Sequence, residues 1–225
     1  MLDVRLKDIR RLEKEVLNYE AQEIVTGKIL FYGDSGFTRW SARFGNRPME
    51  EDLAAADGSV AVVNHGFGTS TAEEQLYYYD RLVRPWKPRV LVNKCHGNDW
   101  DQGYSPAEIL FLQSRLFEYA RRDMPGIRIF VCDGFPCIKN RESVSNLHAQ
   151  EQEYNALLAD YCRRHDDVTL LSHWSSPLFF VDPERVGEYD NLREDVFIED
   201  KVHYNQKGYD LYAKFFRDAL QDLLK

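Results

Sequence analysis

The chain has 225 residues, 44% of them hydrophobic, and a formal net charge of −8 at neutral pH. That size and apolar content suffice for one large core, so a single domain over residues 1–225 is expected, with 1–27 as a helical segment packed on it. The negative field repels phosphates, which argues against nucleic acid or an anionic membrane surface as the main partner. The first twenty residues alternate charged and apolar positions without a continuous apolar run. They read as neither a signal peptide nor a membrane span, and the expected location is cytoplasmic. The four cysteines show no metal-type CxxC spacing, and Cys95 and Cys132 fall inside apolar runs, so they read as small core residues and no metal site is expected.

Leu2, Leu6, Ile9, Leu12, Val16 and Tyr19 recur at steps of three and four, the pattern of an amphipathic helix. Residues 28–32 form a first apolar strand, which runs through Gly33-Asp34-Ser35 into the start of a helix and then into a polar loop ending at Pro48. Arg39, Arg43 and Arg47 step by four and would make a basic stripe beside Ser35 if that helix lasts, although a solvated face is the ordinary reading. A second strand at 59–64 ends in His65-Gly66-Phe67-Gly68, and either Ser70 with Glu73 or Thr71 with Glu74 offers a capping box for the next helix. The third strand, 89–94, enters Cys95-His96-Gly97-Asn98-Asp99-Trp100, and Ser105-Pro106-Ala107-Glu108 opens a further helix. Strands at 127–132 and 168–171 follow, with an apolar helical face on Tyr154, Leu158 and Tyr161 between them. Tyr209, Tyr212, Ala213, Phe216 and Leu220 stripe the last helix.

Strands alternating with capped helices predict a three-layer α/β/α domain on a five-stranded parallel sheet. In the flavodoxin-like order 2-1-3-4-5, strands two and three flank strand one, and the turns after all three meet at one edge. Ser35 then stands at a strand's carboxyl end and a helix's start, as a candidate nucleophile. Acyl transfer by a serine needs a base, a group to orient the base, and donors aimed at the developing oxyanion. Asp200-Lys201-Val202-His203 places an acid three residues before an imidazole, so that one turn can hold both on the same side. The N–H groups of Ser35 and Gly68 and the side-chain amide of Asn98 would supply the donors from three neighbouring turns.

The four blocks, Gly33-Asp34-Ser35, the glycine turn at 66–68, Gly97-Asn98-Asp99 and Asp200-x-x-His203, resemble those of the SGNH/GDSL hydrolases. The resemblance implies a flavodoxin-like fold and a hydrolase of acyl esters, thioesters or acetylated sugars that needs no metal or organic cofactor. It implies Ser35 as nucleophile, His203 as base, Asp200 as its orienter, and Gly68 and Asn98 as oxyanion donors. Many members carry two adjacent glycines in the second block, and Thr69 stands where the second would fall, so the N–H of Thr69 is the alternative donor to that of Gly68.

The 172–199 stretch is long for a connection and has the reach to bring His203 back to Ser35 from a fifth strand three places away. Aromatic residues offer a wall for the substrate or ordinary packing: Phe37, Trp40, Trp100 and Trp174 are the lining candidates, with Tyr104, Phe179, Phe180 and Tyr189 beside them. His65 and His96 sit in the two oxyanion turns, whereas His148, His165 and His173 read as surface or loop residues. The expected activity is a serine esterase on small acyl esters such as acetylated carbohydrates, with a small-molecule ester as partner. An acyltransferase on the same site is the alternative, followed by a non-catalytic binding module.

Overall fold

The structure, a computed structural model, describes residues 8–134, 136–142 and 147–225. Five strands, β1 (Ile29–Gly33), β2 (Val62–Gly66), β3 (Val90–Lys94), β4 (Arg128–Cys132) and β5 (Val168–Leu171), form one sheet in the order β2-β1-β3-β4-β5. Every pairing is parallel. Strands buried on both faces need apolar side chains on both, and β1 and β3 are buried along their whole length.

Alternate strand residues feed two cores. Ile29, Phe31, Val62, Val90, Val92 and Phe130 point to one face. There they meet α2 (Ser35–Thr38), α3 (Met49–Asp52) and the long last helix α10 (Gln206–Leu220), whose Tyr212 and Phe216 are fully buried. Leu30, Tyr32, Leu91, Ile129 and Val131 point to the other face. It is covered by α1 (Glu13–Glu20), α4 (Ala72–Tyr77), α5 (Tyr79–Leu82), α7 (Pro106–Asp123) and α9 (Leu147–Arg163). Two shorter helices, α6 (Gly97–Asp101) and α8 (Ile138–Glu142), follow β3 and β4. Among the described residues no helix is long and apolar enough to cross a membrane.

Several local expectations sharpen. The N-terminal helix covers only Glu13–Glu20; of its expected apolar stripe Val16 is buried, Leu12 and Tyr19 pack partly, and Leu2 and Leu6 lie outside the described residues. The second strand starts at Val62, because Ser59 and Val60 are exposed and only the later residues reach the sheet. Of the two capping boxes Thr71 with Glu74 forms, leaving Ser70 in the turn before it, and Ser105 with Glu108 forms as read.

The pairing register positions the site. Gly33 at the end of β1 stands opposite Gly66 of β2 and Lys94 of β3, so three strands stop at one level. The turn after β1 crosses directly over β2, and a Cβ on Gly66 would lie 2.3 Å from Thr38 N. Only glycine allows that approach, and it lets a one-turn helix starting at Ser35 pack flat on the sheet. The 172–199 stretch is ordered as four 3-10 turns. Its Phe179, Phe180, Leu192 and Val196 are buried against α10 and the sheet, so it returns the chain by packing.

Candidate active site

The turn after β1 is set by Asp34, which caps α2 by accepting the N–H of Gly36 at 2.9 Å. Its other partner was not foreseen from the sequence. Lys94, at the level end of β3, donates from Nζ to both carboxylate oxygens, at 2.8 and 2.7 Å, and both side chains are almost fully buried. Burial pushes the Asp34 carboxyl up, but the adjacent ammonium more than offsets it and holds the group below its ordinary value. A lysine ending an apolar strand was the available signal, since a buried ammonium requires a carboxylate partner.

Asp200 and His203 sit in a tight loop closed by the N–H of Lys201 to Ile198 O at 3.0 Å and the N–H of Ile198 to His203 O at 2.9 Å. One Asp200 oxygen accepts the N–H groups of Val202 and His203, both at 2.9 Å, and the other lies 2.6 Å from His203 Nδ1. Burial raises the Asp200 pKa, yet those N–H groups and the imidazole outweigh it and leave the carboxyl below its usual value. An ionised carboxylate only accepts, so Nδ1 carries the proton and donates, and Nε2 is left with its lone pair. Nε2 stands 2.9 Å from Ser35 Oγ, with the hydroxyl as donor.

The remaining turns face the same serine. A Cβ on Gly68 would lie 3.8 Å from Ser35 Cβ, and among the described residues the N–H groups of Ser35 and Gly68 have no acceptor. Thr69 adopts φ +65°, the left-handed conformation that suits glycine. Asn98, in α6, donates one of its two amide hydrogens to Ser70 O at 2.9 Å, and the neighbouring Asp99 accepts the N–H of Ala72 at 2.8 Å. These bonds tie the turn after β3 to the turn after β2. Asp99 is fully buried, and burial pushes its carboxyl up to about 7.

Ser35, Gly68, Thr69, Asn98, Asp200 and His203 thus line one cavity of about 970 Å³, with Trp100 on its wall. Three other expected lining residues are elsewhere. Phe37 is fully buried, edge-on to Phe31 and near Phe216, because α2 turns it down onto the sheet. Trp40 is also fully buried, stacked on Tyr209 with its indole N–H donating to Asp52 at 2.7 Å. Trp174 is not among the cavity-lining residues and packs edge-on against Tyr189. Phe179 and Phe180 are core, and Tyr104 is buried with its hydroxyl donating to Glu73.

The histidines divide differently from expectation. His65 lies under the sheet's second face, hydrogen-bonded through Nδ1 to Leu82 O at 2.8 Å, and burial lowers its pKa to about 4. His96 does line the cavity; it takes φ +139° and burial pushes it down to about 3, so it is neutral. His173 is in the loop after β5, as read, but it is fully buried there with Nδ1 3.1 Å from Asp133. Arg11, Lys94 and Asn140 also border the cavity and were not singled out from the sequence.

The Asp34–Lys94 pair makes a direct test of how the turn is held. Asp34→Asn leaves an ammonium buried without its counter-charge and is expected to cost about 3–5 kcal/mol in urea unfolding. Adding Lys94→Met to that variant should recover much of the loss, whereas additive losses would contradict the pairing.

The chain matches the model of the GDSL-like lipase/acylhydrolase family over residues 31–211. Among solved structures it resembles a GDSL-like lipase from Bacteroides thetaiotaomicron VPI-5482, with a TM-score of 0.73 and 14% identity over 96% of this chain and 99% of that one. A member of the lipolytic protein G-D-S-L family from Veillonella parvula superposes with a TM-score of 0.64 and 18% identity, covering 87% and 99% of the two chains. A mutant of an acetyl-xylooligosaccharide esterase from Geobacillus Stearmophilus does so with 0.63 and 18%, covering 90% and 96%. No curated protein sequence matches the chain. With the five-stranded 2-1-3-4-5 sheet and a family match across most of its length, the chain belongs to the GDSL-like lipase/acylhydrolase family of ester-hydrolysing enzymes.

Proposed function

We propose that the protein is a serine esterase that works through an acyl-enzyme on small acyl esters, such as an acetyl group on a carbohydrate or related metabolite. The observation that carries this reading is the unbroken relay from Asp200 through His203 to Ser35, with contacts of 2.6 and 2.9 Å, opening into the cavity. Ser35 Oγ attacks the ester carbonyl carbon while its proton passes to His203 Nε2. The carbonyl oxygen becomes an oxyanion that the N–H groups of Ser35 and Gly68 and the second amide hydrogen of Asn98 receive. Thr69 N–H is the neighbouring alternative to Gly68. The carbon–oxygen bond to the alcohol then breaks, and the alcohol leaves with the proton from His203. Water repeats the sequence on the acyl-enzyme, with His203 as base, and releases the acid and free Ser35. Asp200 orients the imidazole and stabilises its charged form.

The carbohydrate reading draws on two supports. An acetyl group fills a small part of about 970 Å³, which leaves room for a larger alcohol portion, and Trp100 offers an aromatic face of the kind that stacks on sugar rings. The acetyl-xylooligosaccharide esterase among the structural neighbours has the same fold.

Hydrolysis of p-nitrophenyl acetate and longer p-nitrophenyl esters tests this directly. The native chain should turn over, and Ser35→Ala should lower kcat by about 10³-fold or more. A folded His203→Ala variant that keeps native turnover would count against His203 as the base.

A further inference from the structure

Arg39, Arg43 and Arg47 do not form the stripe their spacing suggests. The helix ends at Thr38, after which Arg43 pairs with Glu15 at 2.8 Å and Arg47 turns to Asp52 and Asp210. Arg39 alone remains at the cavity. It is four residues after Ser35, with its N–H donating to Ser35 O at 3.0 Å, so its side chain rises from the same side of the turn. Among the described residues it has no carboxylate partner; its guanidinium rests over the Phe44 ring, 5.0 Å from the centroid. Lys14 and Lys139 border the same cavity and likewise have no described ion-pair partner. The neighbouring carboxylates are mostly taken: Glu15 by Arg43, Asp34 by Lys94 and Asp200 by His203. Among the described residues that line the cavity, Asp101 is the carboxylate left to oppose Arg39, Lys14 and Lys139, in a chain whose net charge is −8.

We infer that the cavity selects esters bearing a second, anionic group, and that Arg39 is its specificity determinant. The inference rests on the esterase reading above and refines its substrate class. A carboxylate or phosphate on either the acyl or the alcohol portion meets a planar guanidinium already held by an aromatic ring, so little rotamer freedom is lost on binding. Two matched pairs separate the two placements: the 4-nitrophenyl monoester of adipic acid against 4-nitrophenyl hexanoate, and 4-acetoxybenzoate against 4-acetoxybenzamide. In at least one pair kcat/KM should favour the anion by about tenfold or more, with a preference that shrinks as salt rises. Arg39→Gln should collapse that ratio. Turnover of the neutral esters without preference, or a preference that survives Arg39→Gln, overturns the anion inference alone. A folded native chain inactive on all four would instead strike the esterase reading.

A separate observation concerns the segment before the family-matched region. Arg11 donates to Thr69 Oγ1 at 3.0 Å and to Thr69 O at 2.6 Å, and its Nη2 and Nε reach the fully buried Glu74 carboxylate at 2.8 and 2.7 Å. Tyr19 on α1 donates to Gly66 O one turn earlier. We propose that Arg11 is a positioning residue that holds left-handed Thr69, and with it the adjoining Gly68 N–H, toward Ser35. A threonine at φ +65° resists that conformation, and the fork of the guanidinium supplies the restraint. Arg11→Lys keeps a charge for Glu74 but loses the fork. It should lower kcat by about tenfold while moving KM little, and adding Thr69→Gly, which needs no restraint, should restore most of the rate. Equal effects on kcat and KM, or no recovery in the double variant, would show that Arg11 only stabilises the fold.

Discussion

Three parallel strands ending at one level are the constraint on which the site depends. Because Gly33 pairs with both Gly66 and Lys94, the chain must leave β1, β2 and β3 through turns that share one small volume. The residues there are consequently bonded to one another: Lys94 to Asp34, Asn98 to Ser70 and Asp99 to Ala72. Backbone donors held this way need no reorganisation when charge develops on a substrate, which is what makes such a junction suited to ester chemistry.

The proposed acid–base pair, Asp200 and His203, comes from a distant part of the chain. β5 lies at the far edge of the sheet, and the chain returns through 172–205 by burying Phe179, Phe180, Leu192 and Val196 and by pairing Phe197 with Tyr204. Tyr204 stacks on Phe179, and Asn205 caps α10, so the loop holding Asp200 and His203 is braced on both sides. Packing energy far from the chemistry therefore sets the separation of His203 and Ser35.

The five strands and their capped helices were legible in the sequence, because apolar runs, capping boxes and turn residues are local signals read against short distances. The strand order came instead from the flavodoxin-like pattern that the four blocks resemble, and the sheet has it. The direction of individual side chains was not legible. Phe37 and Trp40 sit two and five residues after Ser35 and looked like pocket walls, but a helix of one turn points Phe37 at the sheet, and Trp40 folds back on Tyr209. The ion pair of Lys94 with Asp34 and the clamp of Arg11 on Thr69 join residues 60 and 58 positions apart, and no spacing rule reports them. His173 lies in the loop after β5, and its burial there is not legible because its partner, Asp133, is 40 positions away.

On the proposed mechanism Ser35 becomes covalently acylated with His203 as its base. Intact-mass analysis after incubation with diethyl 4-nitrophenyl phosphate, a reagent that phosphorylates activated serines, measures this most directly. One diethylphosphoryl adduct on the peptide containing Ser35, formed much more slowly in a folded His203→Ala variant, is the expected result. A folded native protein that gains no adduct, or gains it on another residue, would contradict the claim.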